Sequence, residues 1–417
     1  MCSSEENIMS ASDGLILELK SAHPSALEGR AGCETWSVDF SHDGCWFAWT
    51  MGHGIVWVVS WPLRDNMVGI APDSNSNDQT LNCGQTVWGL AFGPCPSKIQ
   101  ALEDKAASWD RNSSRLLLAT GLENGVIKIW DVATGQPRFD LRGHEGIARE
   151  LVFIPNGKLT LVSSSRDKTL RIWDLTKKGK KESHVLTGHK DWISCCSVSP
   201  DCSMMASVGR FDRMVCLWSL RSYTFIRHLK GTNRKTFYLL ASCDFSPDGA
   251  LLATAAFSGS GWWIDLWDPY TGQKLASLVD SCGMYGENQI SSVRFSPDGL
   301  HLAIVTQDRA LQIWELGIKD MVMQTNEDHS SNGLCCTFHP HGGVVATGTR
   351  DGHVRFWKVP RSVPRLSHLC RSTLRLSVST QQVAALPIPR RILSFLTYGD
   401  IPDCSLTRAD NSTDKPT

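Results

Sequence analysis

Short runs of alternating apolar and polar residues, five or six positions long, recur from about residue 14 to residue 360 and predict β-strands. Six of these runs end on a tryptophan: VIKIWD at Trp130, LRIWD at Trp173, VCLWS at Trp218, IDLWD at Trp267, LQIWE at Trp314 and VRFWK at Trp357. The intervals between these tryptophans are 43, 45, 49, 47 and 43 residues. Upstream of the last five lies a turn signal and then another apolar run: IPNGKLTLVSSS, SPDCSMMASV, SPDGALLATAA, SPDGLHLAIV and HPHGGVVATG. Asp-Gly supplies the φ > 0 position that such tight turns require. A further alternating run precedes the turn, as in VWGLAF, ISSVRF and GLCCTF. One more unit opens the series, TWSVDFSHDGCWFAWTMGHGIVWVV, with Val59 at the tryptophan position and Trp61 two residues later. Seven units result, each with three clear strands and a less regular fourth. Four short antiparallel strands cannot bury both faces alone, so neighbouring units must stack, and radial stacking closes a ring.

These residues resemble the WD-repeat family, and the resemblance implies an all-β, seven-bladed propeller over residues 14–360. In that family a Gly-His pair, a strand hydroxyl, a turn Asp and the Trp form a buried tetrad. The third unit matches it with His144, Ser163, Asp167 and Trp173. The fourth keeps His189, Asp212 and Trp218 without an obvious strand hydroxyl, and the fifth has FSGSGWW where the Asp turn belongs. Ring closure in this family takes the outer strand of the last blade from the N-terminus, and Leu15–Leu19 is the candidate, beside Val354–Val359. Residues 1–13 read as disordered. Two irregular stretches, 62–80 and 94–114, are rich in Ser, Asn, Asp and Pro and read as exposed loops around the second blade.

Composition narrows the class further. Forty-two basic and 42 acidic side chains cancel, so no global field draws the chain to nucleic acid or a membrane. No apolar run approaches the roughly 18 residues of a membrane span. The segment MCSSEENIMSASDG has neither a basic nor an apolar region of a secretory signal, which points to an intracellular, non-secreted protein of the cytoplasm or nucleus. The fifteen cysteines fall partly in adjacent pairs within apolar runs, with no C-x-x-C, and read as small buried hydrophobes in a reducing compartment.

Catalytic chemistry has no positive support. His144-Glu145 is followed by Ala148 where a zincin helix needs its second His, Gly259-Ser260-Gly261 lacks the spacing of a nucleophile elbow, and no phosphate-cradling glycine loop is present. His, Asp and Ser recur at the blade period, so a structural network explains them better than a triad. Cys335, His339 and His341 could be drawn as metal ligands, but they fall on a strand end and a turn without a fourth partner. Neither a metal nor a cofactor is expected.

After Val359 the composition changes. Arg361 to Tyr398 contains six Arg and no acid: RSVPRLSHLCRSTLRLSVSTQQVAALPIPRRILSFLTY. Leu366, Cys370 and Leu374 recur at i, i+4 and i+8, one narrow apolar stripe on a helix entered through Pro364. Leu386-Pro387-Ile388-Pro389 forbids helix and favours an extended form. A second amphipathic helix follows with Ile392, Phe395 and Leu396 on one side. Helices this short are marginal alone, so the stripe must dock on the ring or on another chain. A nucleic-acid or membrane patch fits poorly, because the six Arg lack interleaved aromatics.

The order Leu-x3-Cys-x3-Leu, then Leu-Pro-Ile-Pro-x2-Ile-x2-Phe-Leu, directly after a propeller, resembles the suppressor-of-cytokine-signalling (SOCS) box of the WD repeat and SOCS box-containing proteins. Arg365 stands where that motif usually has a small residue. The resemblance implies a small α-helical box over residues 361–398. Leu366, Cys370 and Leu374 would enter a groove on elongin C, itself bound to elongin B. Leu386, Pro387, Ile388, Pro389, Ile392 and Phe395 would select cullin-5 with its RING subunit. The implied function is substrate recognition for an elongin–cullin-5 ubiquitin ligase; a plain propeller scaffold is the alternative. Recruitment to a cullin-4 ligase is disfavoured, since the Trp-Asp-x-Arg signature of its propeller adaptors is missing at Trp130, Trp173 and Trp267. Residues 399–417 read as a disordered polar tail.

Propellers of this family usually bind peptides on the face carrying the loops between second and third strands. Arg166, Lys168, Arg210, Arg213, Arg309, Arg350 and His353 fall there, which favours an acidic or phosphorylated protein segment as ligand. The competing reading pairs some of these Arg with a neighbouring turn Asp, as at Arg166-Asp167 and Arg350-Asp351.

Overall fold

The computed structural model describes residues 14–19, 33–63, 78–93, 116–156, 159–176, 183–229, 238–259, 261–279, 289–307, 311–316, 321–325, 332–360, 364, 366–378, 380–399 and 401. The stretch 94–114, most of 62–80, residues 1–13 and nearly all of the C-terminal tail lie outside them. Among the described residues, twenty-eight strands form seven four-stranded antiparallel sheets, the blades of a closed propeller. Six blades are consecutive: β2–β5 over 38–82, β6–β9 over 87–141, β10–β13 over 148–187, β14–β17 over 193–229, β18–β21 over 239–279 and β22–β25 over 290–324. The seventh has the order β1 (Leu15–Leu19), β28 (Val354–Lys358), β27 (Val344–Thr349), β26 (Gly333–Phe338), so β1 is its outer strand, as ring closure requires. It pairs with β28 (Val354–Lys358) through Leu17↔Phe356, Glu18↔Arg355 and Leu19↔Val354. Glu18 also accepts from Arg355 Nε at 2.8 Å and faces His353 Nδ1 at 3.1 Å.

Apolar residues on both faces of each blade meet the next blade rather than a common centre. Ile154, Val162, Ile172, Cys196, Met205 and Trp218 form one such layer between the third and fourth blades. Between the seventh and first, Phe47 packs on Phe356 at 4.9 Å, and Val59, fully buried, fills the place of the missing tryptophan. Trp61 instead packs on Phe356 and His339 at the edge of that layer.

The tetrad closes in the third blade. His144 Nδ1–H donates to Asp167 (2.7 Å), and Trp173 Nε1–H donates to Ser163 Oγ (2.9 Å). With Nδ1 protonated, His144 Nε2 is the acceptor for the Ser163 hydroxyl at 2.7 Å. Burial alone would raise the Asp167 carboxyl, but the hydrogen bonds from His144 and Thr169 hold it well below the ordinary carboxylate range. The fourth blade corrects the sequence reading. Ser207 is its hydroxyl, bonded to His189 Nε2 (2.8 Å) and Trp218 Nε1 (2.8 Å). It stands 11 residues before its tryptophan where Ser163 stands 10 before Trp173, because the turn is one residue longer. In the fifth blade Ser258 pairs with Gly261, which has φ +116°, and Trp267 still donates to Thr254.

Six of the eleven described cysteines are buried. Cys335 points to Thr35 O, whereas His339 and His341 face Gly44 O and Asp43 O, so the three do not converge.

Candidate functional site

The segment after the ring folds as α1 (Leu366–Ser377), α2 (Thr380–Ala384) and α3 (Arg390–Leu396). Pro389 precedes α3 at φ −56°, ψ 142°, the extended conformation that the two prolines impose. The middle helix is absent from the sequence reading, since its one fully buried apolar residue, Val383, gives no periodicity.

The amphipathicity of α1 is inverted relative to an ordinary surface helix. Its polar side is buried: His368, Arg371 and Arg375 are all 8 % exposed or less. Its apolar stripe faces outward, with Leu366 76 % exposed, Leu374 37 % and Cys370 exposed as well. Leu369 and Leu376 widen this patch. Leu386 and Ile392 are exposed beside it, as are Pro387 and Pro389, and Ile388 is half-buried. The expected one-sided stripe of α3 divides, because Leu396 turns inward and Phe395 is half-buried under the Arg371 guanidinium, 4.4 Å from its ring centre.

The buried side is clamped to the turns of the fifth and sixth blades. His368 Nε2–H donates to Asp298 O at 3.0 Å. Arg371 donates to Phe395 O at 3.1 Å and covers the Tyr398 ring at 3.9 Å. Tyr398, 3 % exposed, joins the apolar layer between these blades and donates its hydroxyl to Asp248 at 2.6 Å. Burial, then the Asp248 charge, push the Tyr398 hydroxyl far above the ordinary tyrosine range. Asp248 serves two structures: its other oxygen accepts from Ser246 Oγ and Ala250 N within its own turn. Ile401 packs against the same layer.

Tyr398→Ala is expected to release α1 from the ring, costing about 3–5 kcal/mol of docking. Tyr398→Phe, losing only the hydrogen bond to a carboxylate, should cost about 1.5–3 kcal/mol. Hydrogen exchange of the His368–Arg375 amides measures both, and unchanged protection in the alanine variant would contradict this packing.

On the opposite face, the turns between second and third strands surround a cavity of about 300 Å³ at the mouth of the channel. Arg166, Arg210 and Arg350 line it. Lys168 is exposed outside it, Arg213 lies over the Tyr238 ring at 5.6 Å, and Arg309 falls outside the described residues. The suggested Arg166-Asp167 pairing is not the contact formed: Asp167 is engaged by His144, Thr169 and the Glu145 amide, and Arg166 stacks between Trp88 (4.8 Å) and Trp192 (4.6 Å). Asp351 likewise engages Thr349 Oγ1 and His353.

Three lining residues that sequence reasoning missed, Trp36, Trp88 and Arg149, share one structural position. In six blades the pairing of the inner strand skips one residue near its start: between Val87 and Gly89, Ala148 and Glu150, Ile193 and Cys195, Leu240 and Ser242, Ile290 and Ser292, and Gly333 and Cys335. Such a bulge frees the skipped side chain from the ladder and re-aims it. Trp88, Arg149, Ser194, Ser291 and Leu334 are skipped residues on the cavity wall. Each stands four residues before the Phe or Val that ends its strand, a spacing visible once WGLAF, RELVF, SCCSV, SSVRF and LCCTF are aligned. Trp36 holds the same place in WSVDF. Deeper in the channel Glu150 and Arg294 span from the third to the sixth blade at 2.9 Å.

A family model for the SOCS box matches residues 362–397, and one for the WD domain, G-beta repeat, matches residues 135–174, 180–219, 279–315 and 322–358. WD repeat and SOCS box-containing protein 1 of Mus musculus is 40% identical over 411 residues, covering 90% of this chain and 94% of that protein. The Danio rerio protein of that name is also 40% identical, over 88% of this chain and 92% of its own length. The chain belongs to the WD repeat and SOCS box-containing family. Protein tipD of Dictyostelium discoideum is more distant, 28% identical over 59% of this chain. Propeller and SOCS box together make this family member a substrate-recognition adaptor of the cullin–RING class of ubiquitin ligases. Among the described residues no helix is long and apolar enough to cross a membrane.

Proposed function

We propose that the chain recruits substrates to an elongin B/C–cullin-5 ubiquitin ligase inside the cell and makes no covalent bond itself. The observation that carries this reading is the outward apolar stripe of α1: Leu366, Cys370 and Leu374 stay exposed although the helix is firmly seated on the ring. Three apolar side chains left in water on a docked helix form a ready plug for the elongin C groove. Leu386, Pro387, Ile388, Pro389 and Ile392 lie exposed or half-buried next to it and supply the cullin-5 contact, with Phe395 setting the angle of α3. Clients, carrying an acidic or phosphorylated segment, bind the opposite face of the ring. Holding client and charged E2 in one assembly raises their effective concentration, so lysine attack becomes nearly intramolecular.

Co-expression with elongins B and C, followed by competition between cullin-5 and cullin-4, tests the assignment. Cullin-5 should be retained alone, and Ile388→Ala/Pro389→Ala should weaken it by about tenfold while elongins still co-purify. Retention of cullin-4, or of neither cullin, would refute it.

A further inference from the structure

We infer that the cavity at the channel mouth is an anion-reading clamp, in which stacked arginines hold a carboxylate or phosphoryl group of a client peptide while Trp192 and Phe211 take an adjacent apolar or aromatic side chain. The inference deepens the adaptor reading by naming what the ring grips.

Four arginines approach this cavity: Arg149 from a bulged inner strand, and Arg166, Arg210 and Arg350 from the residue following the second strand. Three of them, Arg149, Arg166 and Arg210, are held by ring faces. Arg149 lies over Trp36 (6.0 Å) and Trp88 (5.6 Å), themselves stacked at 4.2 Å, and Arg166 is sandwiched between Trp88 and Trp192. Trp192 meets Phe211 at 5.5 Å, and Arg210 lies over Phe257 at 5.5 Å. A guanidinium stacked through its faces keeps its N–H edge for bidentate bonds to an oxyanion, and its order is already established before binding.

The donors are in surplus. Arg149 donates Nε–H to Ser194 O, but neither Arg166 nor Arg210 makes a side-chain hydrogen bond with a described residue. Trp88 Nε1–H is buried with no acceptor among the described residues. Arg166 and Arg210 are half-buried at the mouth, so a ligand acceptor can reach guanidinium N–H groups that no described residue engages. Burial and the neighbouring Arg210 and Arg166 lower the Arg149 guanidinium to about 10, against the opposing pull of the Glu150 carboxylate. Trp192 and Phe211 are each 39 % exposed at the rim, where a neighbouring side chain of the ligand would stack.

The test screens the full-length chain against a displayed library of random dodecapeptides. Enriched peptides should carry an excess of Asp and Glu beside an apolar or aromatic residue. Arg166→Glu/Arg210→Glu should weaken them about 30-fold or more, and Trp192→Ala about 5- to 10-fold, with thermal melting unchanged. If the charge reversal lowers the melting temperature, Arg166→Gln/Arg210→Gln supplies the same comparison. Replacing the acidic residue by phosphoserine separates the two sources: about tenfold tighter binding assigns the phosphoryl group, equal or weaker binding the carboxylate. A library yielding no peptide, neutral or basic peptides, or peptides indifferent to the variants overturns the clamp. Elongin co-purification of the same variants is read separately, so failure of the clamp and failure of the adaptor reading remain distinct.

Discussion

Deleting residues 1–19 is expected to convert a monodisperse protein into an aggregating one. β1 supplies the outer strand of the last blade, and its removal exposes the backbone donors and acceptors of VRFWK in β28. An apolar, unpaired edge is a template for intermolecular pairing. The deletion also removes Leu19, 8 % exposed, from the layer shared by the seventh and first blades, and takes Glu18 from Arg355 and His353. Each lost leucine contact is worth about 1.5–3 kcal/mol and each ladder bond about 1 kcal/mol. The sum is comparable with the whole net stability of a domain, about 5–15 kcal/mol. Size-exclusion chromatography with light scattering reads the outcome. A soluble monomer with an unaltered melting temperature would show that the ring closes without β1.

Leu366→Ala/Cys370→Ala should remove elongin co-purification and leave the propeller intact. Both side chains are exposed in the isolated chain, so truncating them opens no internal cavity, in contrast to core substitutions. Against a partner, the lost burial amounts to about 3 kcal/mol, roughly a hundredfold in affinity. The pair of readouts matters. Pull-down must fall while the thermal transition and the hydrogen-exchange protection of α1 hold, since His368, Arg371 and Arg375 still seat the helix. Undiminished co-purification would mean that the outward stripe is not the elongin contact.

Blade number and the tryptophan strands were legible because they repeat at a near-constant spacing, and the two-part helical segment because of its i, i+4, i+8 stripe and its prolines; the N-terminal closing strand followed from the family resemblance alone. Ser207 was hidden by one extra turn residue, and α2 by its brevity. The inward side of α1 was unreadable for a different reason. His368 and Arg371 look like a solvated helical face, and only Asp298 O on the ring, with Phe395 O and Tyr398 of the box, satisfies them. The arginines of the second-strand turns were visible, but not their aromatic supports, since Trp36 and Trp88 lie outside the tryptophan period and only the fold places them on the cavity wall.

That skipped pairing uncouples the mouth of the ring from its framework. A residue displaced from the ladder has no cross-strand neighbour to satisfy, so exchanging Trp88 for Ser or Arg149 for Leu leaves the sheet's registers undisturbed. The mouth of the ring can therefore change one side chain at a time while the sheets behind it keep their pairing.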